Sequence, residues 1–122
     1  MNRSALCIMV AAAALATSTA HAQDAQRGQK VFGECVACHS LERNTNAIGP
    51  DLHGVFGRTA GSGDFRYSPA LKRSGITWTA KTLDAFIADP QATVPGNRMP
   101  FSGVPDASQR ADLIQYLQQT FK

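Results

Sequence analysis

Apolar residues recur at helical spacing in three separated stretches of this chain, which indicates three main helices. The first predicted helix runs from Asp24 to about Cys35, where Ala25, Gly28 and Phe32 share one face. A glycine inside a helix costs about 1 kcal/mol relative to alanine. We therefore expect another helix to approach closely at Gly28, with a frayed helix start as the alternative.

The other two main helices have clear start and stop signals. The second predicted helix covers Thr79–Ala88, and the pair Asp89-Pro90 ends it because a residue before proline avoids helical backbone angles. The third runs from about Ala107 to Phe121. Asp106 is placed to cap it, with Gln109 three residues later.

The segments between these helices favour loops. Residues 40–75 and 91–105 are rich in glycine, asparagine, proline and serine, with one short helix expected near Pro69–Arg73. No segment alternates convincingly between apolar and polar residues as a strand would. The predicted fold is all-α, with three main helices and long loops.

The N-terminal segment differs in character from the rest of the chain. Arg3 precedes an apolar run over Ala5–Ala16, and Ala20-His21-Ala22 resembles a cleavage site, as in a secretory signal peptide. We therefore expect residues 1–22 to be removed on export to the periplasm, leaving residues 23–122 as one domain. An uncleaved anchor is the alternative, although the run is short and alanine-rich for a membrane span. No stable membrane insertion is expected.

The strongest chemical signal is Cys35-Val36-Ala37-Cys38-His39, the pattern of a c-type haem attachment site. Each thiol can add to one vinyl group of the same porphyrin, and His39 can then fill one axial position on the iron. A Cys-x-x-Cys redox pair without haem is the alternative, but that motif belongs in a βαβ context. About 100 residues provide little core, and a covalent haem would supply a large apolar plate.

The second axial ligand is expected to be Met99, in Pro95-Gly96-Asn97-Arg98-Met99-Pro100. It is the only methionine outside the predicted signal peptide, and a thioether favours Fe(II) and raises the reduction potential. His53 is the alternative ligand, although we expect a histidine held by hydrogen bonds there. The formal net charge of +3 is mild and does not suggest a nucleic-acid partner.

Taken together, these motifs resemble class I cytochrome c, the mitochondrial and soluble bacterial type, over residues 24–121. The resemblance rests on Gly28, Phe32, the Cys35–His39 motif, Gly49–Arg58, Tyr67, Gly75–Trp78, Pro95–Phe101 and Asp112–Leu117. It implies that His39 and Met99 ligate the iron and that the Pro50 carbonyl accepts the other ring N–H of His39. It also implies that Arg58, Tyr67 and Trp78 reach the haem propionates, joined by Asn97, and that Phe101 covers the haem edge.

The chain departs from the family pattern at several positions. Phe86 stands where a tyrosine near the methionine sulfur is common, and Leu71 and Thr93 also replace common residues. Glu34 and Gln91 occupy positions often held by lysine, so the positive ring around the haem edge is thin. Docking to partners is then expected to be weaker, less dependent on salt, or directed at a different partner.

The function that these features predict is one-electron transfer, with no catalytic activity. One haem c, attached through Cys35 and Cys38, would cycle between Fe(III) and Fe(II). It would carry electrons from a respiratory or photosynthetic donor to a terminal acceptor. The protein is expected to be a monomer. The resemblance implies quinol–cytochrome c reductase, a terminal oxidase, or a periplasmic dehydrogenase or reductase as partners. A haem peroxidase or small-ligand-binding cytochrome with a labile Met99 is the main alternative, and a thiol–disulfide protein without haem is another.

Overall fold

A computed structural model describes residues 22–122, and within that range the chain is helical with no named strand. The helices are α1 (Ala25–Phe32), α2 (Pro69–Lys72), α3 (Ala80–Ala88), α4 (Pro90–Thr93) and α5 (Ala107–Thr120). One isolated antiparallel bridge joins Thr59 to Thr77. The all-α prediction is confirmed. The predicted signal peptide, apart from its last residue, lies outside the described residues.

Two element boundaries differ from the sequence prediction. Helix α1 ends at Phe32, not near Cys35, and the chain continues in hydrogen-bonded turns. The loop predicted over residues 91–105 is wrong at its start, because α4 occupies Pro90–Thr93. Asp89 ends α3 and also caps α4 by accepting the N–H of Ala92, while Pro90 fits the first helical position. The Asp-Pro pair therefore ends one helix and begins the next.

Polar side chains also cap the N-termini of α3 and α5. Thr79 and Thr82 form a reciprocal capping box at the start of α3. Asp106 accepts the N–H of Gln109 at the start of α5, as predicted. These caps satisfy amide groups that the first turn of each helix leaves without partners, so the helix starts are fixed in the sequence.

Helices α1 and α5 make the closest contact in the fold. A Cβ atom added to Gly28 would lie 2.0 Å from the carbonyl oxygen of Asp112 and 2.9 Å from Cβ of Tyr116, so the backbones meet where no side chain fits. The ring of Phe32 packs beside those of Tyr116 and Phe121, with centroids 5.3 and 5.5 Å apart. The close approach predicted at Gly28 is confirmed.

A buried carboxylate strengthens the same crossing. Asp112, on α5, is only 3% exposed, and its Oδ2 accepts from Nε of Arg27 at 2.8 Å. Its Oδ1 accepts from the backbone N–H of Asp24 at 2.7 Å. A buried charge needs such partners to offset the loss of hydration, so this pairing fixes how α1 sits on α5.

The hydrophobic core extends from this crossing to α3 and the loops. Trp78 packs against Phe86 on α3 with ring centroids 5.1 Å apart, and both residues are buried. Cys35 and Met99, which lie far apart in sequence, both pack against this cluster. Among the described residues, no helix is long and apolar enough to cross a membrane.

Replacing Gly28 by alanine should lower the free energy of unfolding of the holoprotein by about 2 kcal/mol or more, because the new methyl group meets the α5 backbone. Denaturant titration measures this change. Gly33→Ala is the matched control: Gly33 has an ordinary φ of −51°, and an added Cβ would meet only the Lys30 carbonyl, at 3.0 Å. Equal losses in the two variants would contradict the close-approach interpretation.

Candidate haem-binding site

The two cysteines and His39 lie on consecutive turns that continue from α1. The N–H of Cys35 donates to the Phe32 carbonyl at 2.8 Å, and the N–H of His39 donates to the Cys35 carbonyl at 2.9 Å. Cys35 and Cys38 are unpaired and half-buried. Because α1 is fixed on α5 and these turns follow it without a break, the position of the motif follows from the helix crossing.

Cys35 does not have the character of a disulfide-exchange thiol. Burial, helped by the nearby charges of Glu34 and Cys38, raises the pKa of Cys35 to about 11. Exchange and nucleophilic catalysis need the thiolate, which a lowered pKa provides. The described residues also contain no βαβ unit. The structure therefore gives no support to the thiol–disulfide alternative.

His39 is arranged as a metal ligand. Its Nδ1 lies 2.8 Å from the carbonyl oxygen of Pro50, the partner that the family resemblance implies. Burial lowers the pKa of His39, and the Pro50 carbonyl opposes that effect only in part, so the imidazole is held neutral. A carbonyl can only accept, so Nδ1 carries the proton and Nε2 keeps a lone pair for a metal.

Gly49 sets the space beside this ring, a role that the sequence analysis did not assign. A Cβ at Gly49 would lie 2.8 Å from Cε1 and 3.0 Å from Nδ1 of His39, and 3.2 Å from the Cys38 carbonyl oxygen. The N–H of Gly49 donates to that same carbonyl at 2.8 Å. Only the absence of a side chain lets residues 49–50 approach closely enough to orient His39. In the sequence, the only sign of this role is the pair Gly49-Pro50.

Met99 is half-buried in a loop that side-chain amides hold in place. Its N–H donates to Oδ1 of Asn97 at 3.0 Å, and the N–H of Phe101 donates to its carbonyl at 2.9 Å. Asn97 is 7% exposed, and its Nδ2 donates to the carbonyls of Pro90 and Val94 at 2.8 and 2.9 Å. Both amide hydrogens thus join the loop to α4 and the residue that follows it. Asn97 holds the backbone at Met99 through its Oδ1 hydrogen bond, and its contact with a haem propionate stays a prediction.

Arg58 and Tyr67 line one polar cavity of about 290 Å³. Arg58 donates from Nη2 to the Asp51 carbonyl at 2.9 Å and from Nη1 to the His53 carbonyl at 3.3 Å. A guanidinium has five N–H donors, so others stay available for an anionic group. Burial raises the pKa of Tyr67, with Arg58 acting in the opposite direction, so its hydroxyl stays protonated and can donate.

Trp78 is joined to this region through the backbone. Its N–H donates to the Arg58 carbonyl at 2.9 Å, and its carbonyl accepts from Gly57 at 2.7 Å. The indole is buried against Phe86. The structure therefore brings Arg58 and Tyr67 to one cavity and holds Trp78 beside them, while their contacts with propionates stay a prediction.

His53 is engaged elsewhere. Its Nε2 lies 3.1 Å from the Leu41 carbonyl, and its ring packs edge-on against Phe121 with centroids 4.9 Å apart. Its Nδ1 is buried without a hydrogen-bond partner among the described residues. These contacts hold His53 between Leu41 and Phe121, the residue that follows α5. They give no support to its role as the alternative iron ligand.

The residues present fit a covalently attached haem. Two unpaired thiols stand beside a neutral imidazole with one free nitrogen, and a thioether packs against the same core as the first thiol. The glycine beside His39 leaves room only for the ring. Soft sulfur and imidazole donors are the ligands that haem iron takes in proteins that transfer electrons.

Comparison with known proteins shows the family of this chain. The model of the cytochrome c family matches residues 25–121, so the chain belongs to that family. Cytochrome c2 of Blastochloris viridis is 45% identical over 108 residues, which cover 87% of this chain and 85% of that protein. Cytochrome c of Tetrahymena pyriformis is 47% identical over 95 residues, covering 77% and 86% of the two chains.

A solved structure is also similar. Cytochrome cH from Methylobacterium extorquens superposes with a TM-score of 0.75 at 43% identity, covering 79% of this chain and 98% of that one. Membership of the family implies covalently bound haem c, and cytochromes c carry electrons and do not act as enzymes. The class I resemblance found in the sequence is confirmed.

Replacing Gly49 by alanine should raise the reduction potential of the holoprotein. The new methyl group pushes the His39 ring away from the Pro50 carbonyl, and loss of that hydrogen bond makes the predicted ligand less basic, which stabilises Fe(III) less. Spectroelectrochemical titration measures the potential, with Gly33→Ala as the control. An unchanged potential in Gly49→Ala would show that this glycine does not position His39.

Proposed function

We propose that this protein is a soluble one-electron carrier with one haem c attached through Cys35 and Cys38. The observation that carries the proposal is the state of His39, whose Nδ1 is committed to Pro50 while Nε2 is left with a lone pair beside two unpaired thiols. When bound, haem c supplies the one-electron couple Fe(III)/Fe(II). His39 and Met99 are the proposed axial ligands.

The surrounding residues would keep these ligands in one geometry during electron transfer. Pro50 and Gly49 fix the His39 ring, and Asn97 fixes the backbone at Met99. The described contacts that hold both ligands are hydrogen bonds within the protein. A ligand set that is held in this way moves little when the charge changes, which favours rapid transfer in both directions.

An enzymatic function has less support. If His39 and Met99 both hold the iron, as proposed, they would leave no position on it for a substrate. A peroxidase also needs an acid–base group above that position, and the candidate His53 is attached to Leu41 and packed on Phe121. A small-ligand-binding cytochrome with a labile Met99 stays the alternative that experiment must separate from the carrier.

Met99→Ala should open the iron to carbon monoxide. The visible spectrum of the reduced wild-type holoprotein should be unaltered by the gas, because Met99 keeps its position, whereas the variant should show a clear shift. Ile87→Ala is the control, since Ile87 is partly buried against the same core and its truncation loosens packing without removing a sulfur ligand.

Two results would contradict the proposal. A wild-type spectrum that shifts with carbon monoxide would mean a labile sixth position and would favour the ligand-binding alternative. A Met99→Ala spectrum identical to wild type, with and without the gas, would show that Met99 is not the ligand.

The proposed electron exit lies at the surface beside the attachment site. We define the docking face as Glu34, Val36, Ile48 and Arg98, four exposed residues that adjoin Cys35, Gly49 or Met99 in sequence. Ile48 belongs to it because the next residue, Gly49, is hydrogen-bonded to the Cys38 carbonyl. Val36 and Ile48 are 48% and 73% exposed, so they add apolar area to this face.

This face would suit short-lived contacts with other redox proteins. Its apolar members give a partner some area to bury, while Glu34 and Arg98 leave it nearly neutral, so long-range steering is weak. We propose quinol–cytochrome c reductase, a terminal oxidase, or a periplasmic dehydrogenase or reductase as partners. The bacterial cytochromes c2 among the relatives, together with the signal-like residues 1–22, support export to the periplasm.

Glu34→Lys should accelerate oxidation of the reduced protein by hexacyanoferrate(III), an anionic probe. Near 10 mM ionic strength we expect about a 3- to 10-fold increase in the rate constant, shrinking to less than about twofold above 0.2 M as salt screens the charge. Stopped-flow spectrophotometry measures both rates. Glu42→Lys makes the same charge change at an exposed residue outside the docking face. Equal acceleration by both variants would mean that electrons do not leave through this face.

A further inference from the structure

The loop that carries Met99 is cross-linked by two amide side chains that reach it from different directions. From the inside, buried Asn97 makes three hydrogen bonds, with the carbonyls of Pro90 and Val94 and with the N–H of Met99. An amide side chain has two donor hydrogens and an acceptor oxygen, so each of these groups is engaged.

From the outside, Gln91 spans the gap between α4 and the same loop. Its Nε2 donates to the Asn97 carbonyl at 2.9 Å, and its Oε1 accepts from the N–H of Gly96 at 3.2 Å. Gln91 itself is exposed and lies on α4. We call Gln91 and Asn97 together the amide clamp. It joins residues 90–94 to residues 96–99 by hydrogen bonds on both sides of the chain.

The clamp is in turn attached to the rest of the protein. Thr93, also on α4, donates from Oγ1 to the Ala85 carbonyl at 2.9 Å, which ties α4 to α3. Asn97 and Val94 are buried, so the inner half of the clamp is shielded from water. Movement of the Met99 backbone away from the core must therefore break hydrogen bonds of Asn97, of Gln91, or of both.

We infer that the amide clamp is a positioning device that sets how readily Met99 gives up the sixth coordination position to an outside ligand. The inference rests on the proposed ligation by Met99 and adds a determinant of its lability. A ligand that displaces Met99 must compete with the closed loop, so weakening the clamp raises the affinity for that ligand. A clamp that serves the fold alone would change stability and leave this affinity unaltered.

The test is a titration of the ferric holoprotein with imidazole, followed by its visible spectrum. Gln91→Ala removes two hydrogen bonds from an exposed side chain, and the dissociation constant for imidazole should fall by about 5- to 30-fold. Gln91→Glu keeps an acceptor for the Gly96 N–H and loses the donor to Asn97, so its dissociation constant should lie between those of wild type and Gln91→Ala. The reduction potential of Gln91→Ala, a variant that adds no charge, should also fall below that of wild type, since weaker methionine ligation favours Fe(III).

Gln118→Ala is the matched control, an exposed glutamine on α5 for which the structure gives no side-chain hydrogen bond. Its dissociation constant should equal that of wild type. The inference is overturned if Gln91→Ala binds imidazole within twofold of wild type, even with a lowered free energy of unfolding, or if Gln118→Ala changes the affinity equally. Met99→Ala distinguishes failure of the ligand assignment from failure of the clamp inference. If its spectrum without imidazole matches wild type, Met99 is not the ligand. If the spectrum differs, the ligand assignment stands and the imidazole titrations test the clamp alone.

Discussion

The position of the candidate site depends on a single backbone contact, the crossing of α1 and α5 at Gly28. The crossing leaves no room for a methyl group, and the buried carboxylate of Asp112 fixes its orientation through Arg27. Helix α1 ends four residues later, and hydrogen-bonded turns lead directly to Cys35 and His39. An error of one side-chain diameter at the crossing would therefore be passed to the attachment site. The packing of α1 against α5 therefore also determines where the proposed ligand His39 lies.

Beyond the crossing, the site is assembled from loops, and side-chain donors hold those loops together. Loop carbonyls have no helix or sheet partner, and buried ones require a donor. Arg58 provides donors for the loop carbonyls of residues 51 and 53, and Asn97 gives further donors to the carbonyls of Pro90, on α4, and Val94, which follows it. Arg110 does the same for Val104 and Pro105 while its Nε pairs with Asp84 on α3. A small chain with little regular structure thus obtains a rigid site from a few long polar side chains.

The sequence predicted the helices well because they rest on local signals, and the proposed attachment motif is a local signal too. Periodic apolar residues and caps such as Asp106 act within a few residues, and Cys-x-x-Cys-His is contiguous. What was missed depends on distant pairing or on a residue with two roles. Asp89-Pro90 was interpreted only as a helix end, and the short α4 was lost. The role of Gly49 depends on its contact with the His39 ring, ten residues earlier in the chain. The role of Asn97 depends on the carbonyls of Pro90 and Val94, whose positions the sequence alone does not give.

Gln91 bears on two proposals at once, the thin positive charge for docking and the restraint on the Met99 loop. The resemblance places lysine at this position in many members, where a cationic side chain extends into water and contributes to docking. The neutral amide here has both a donor and an acceptor, and it bonds to residues 96 and 97 of the methionine loop. A lysine ammonium could donate but could not accept from the Gly96 N–H. A glutamine at this position therefore brings no positive charge and adds a restraint on the loop of the proposed ligand, so the proposed weak electrostatic docking and the proposed control of Met99 would share one residue.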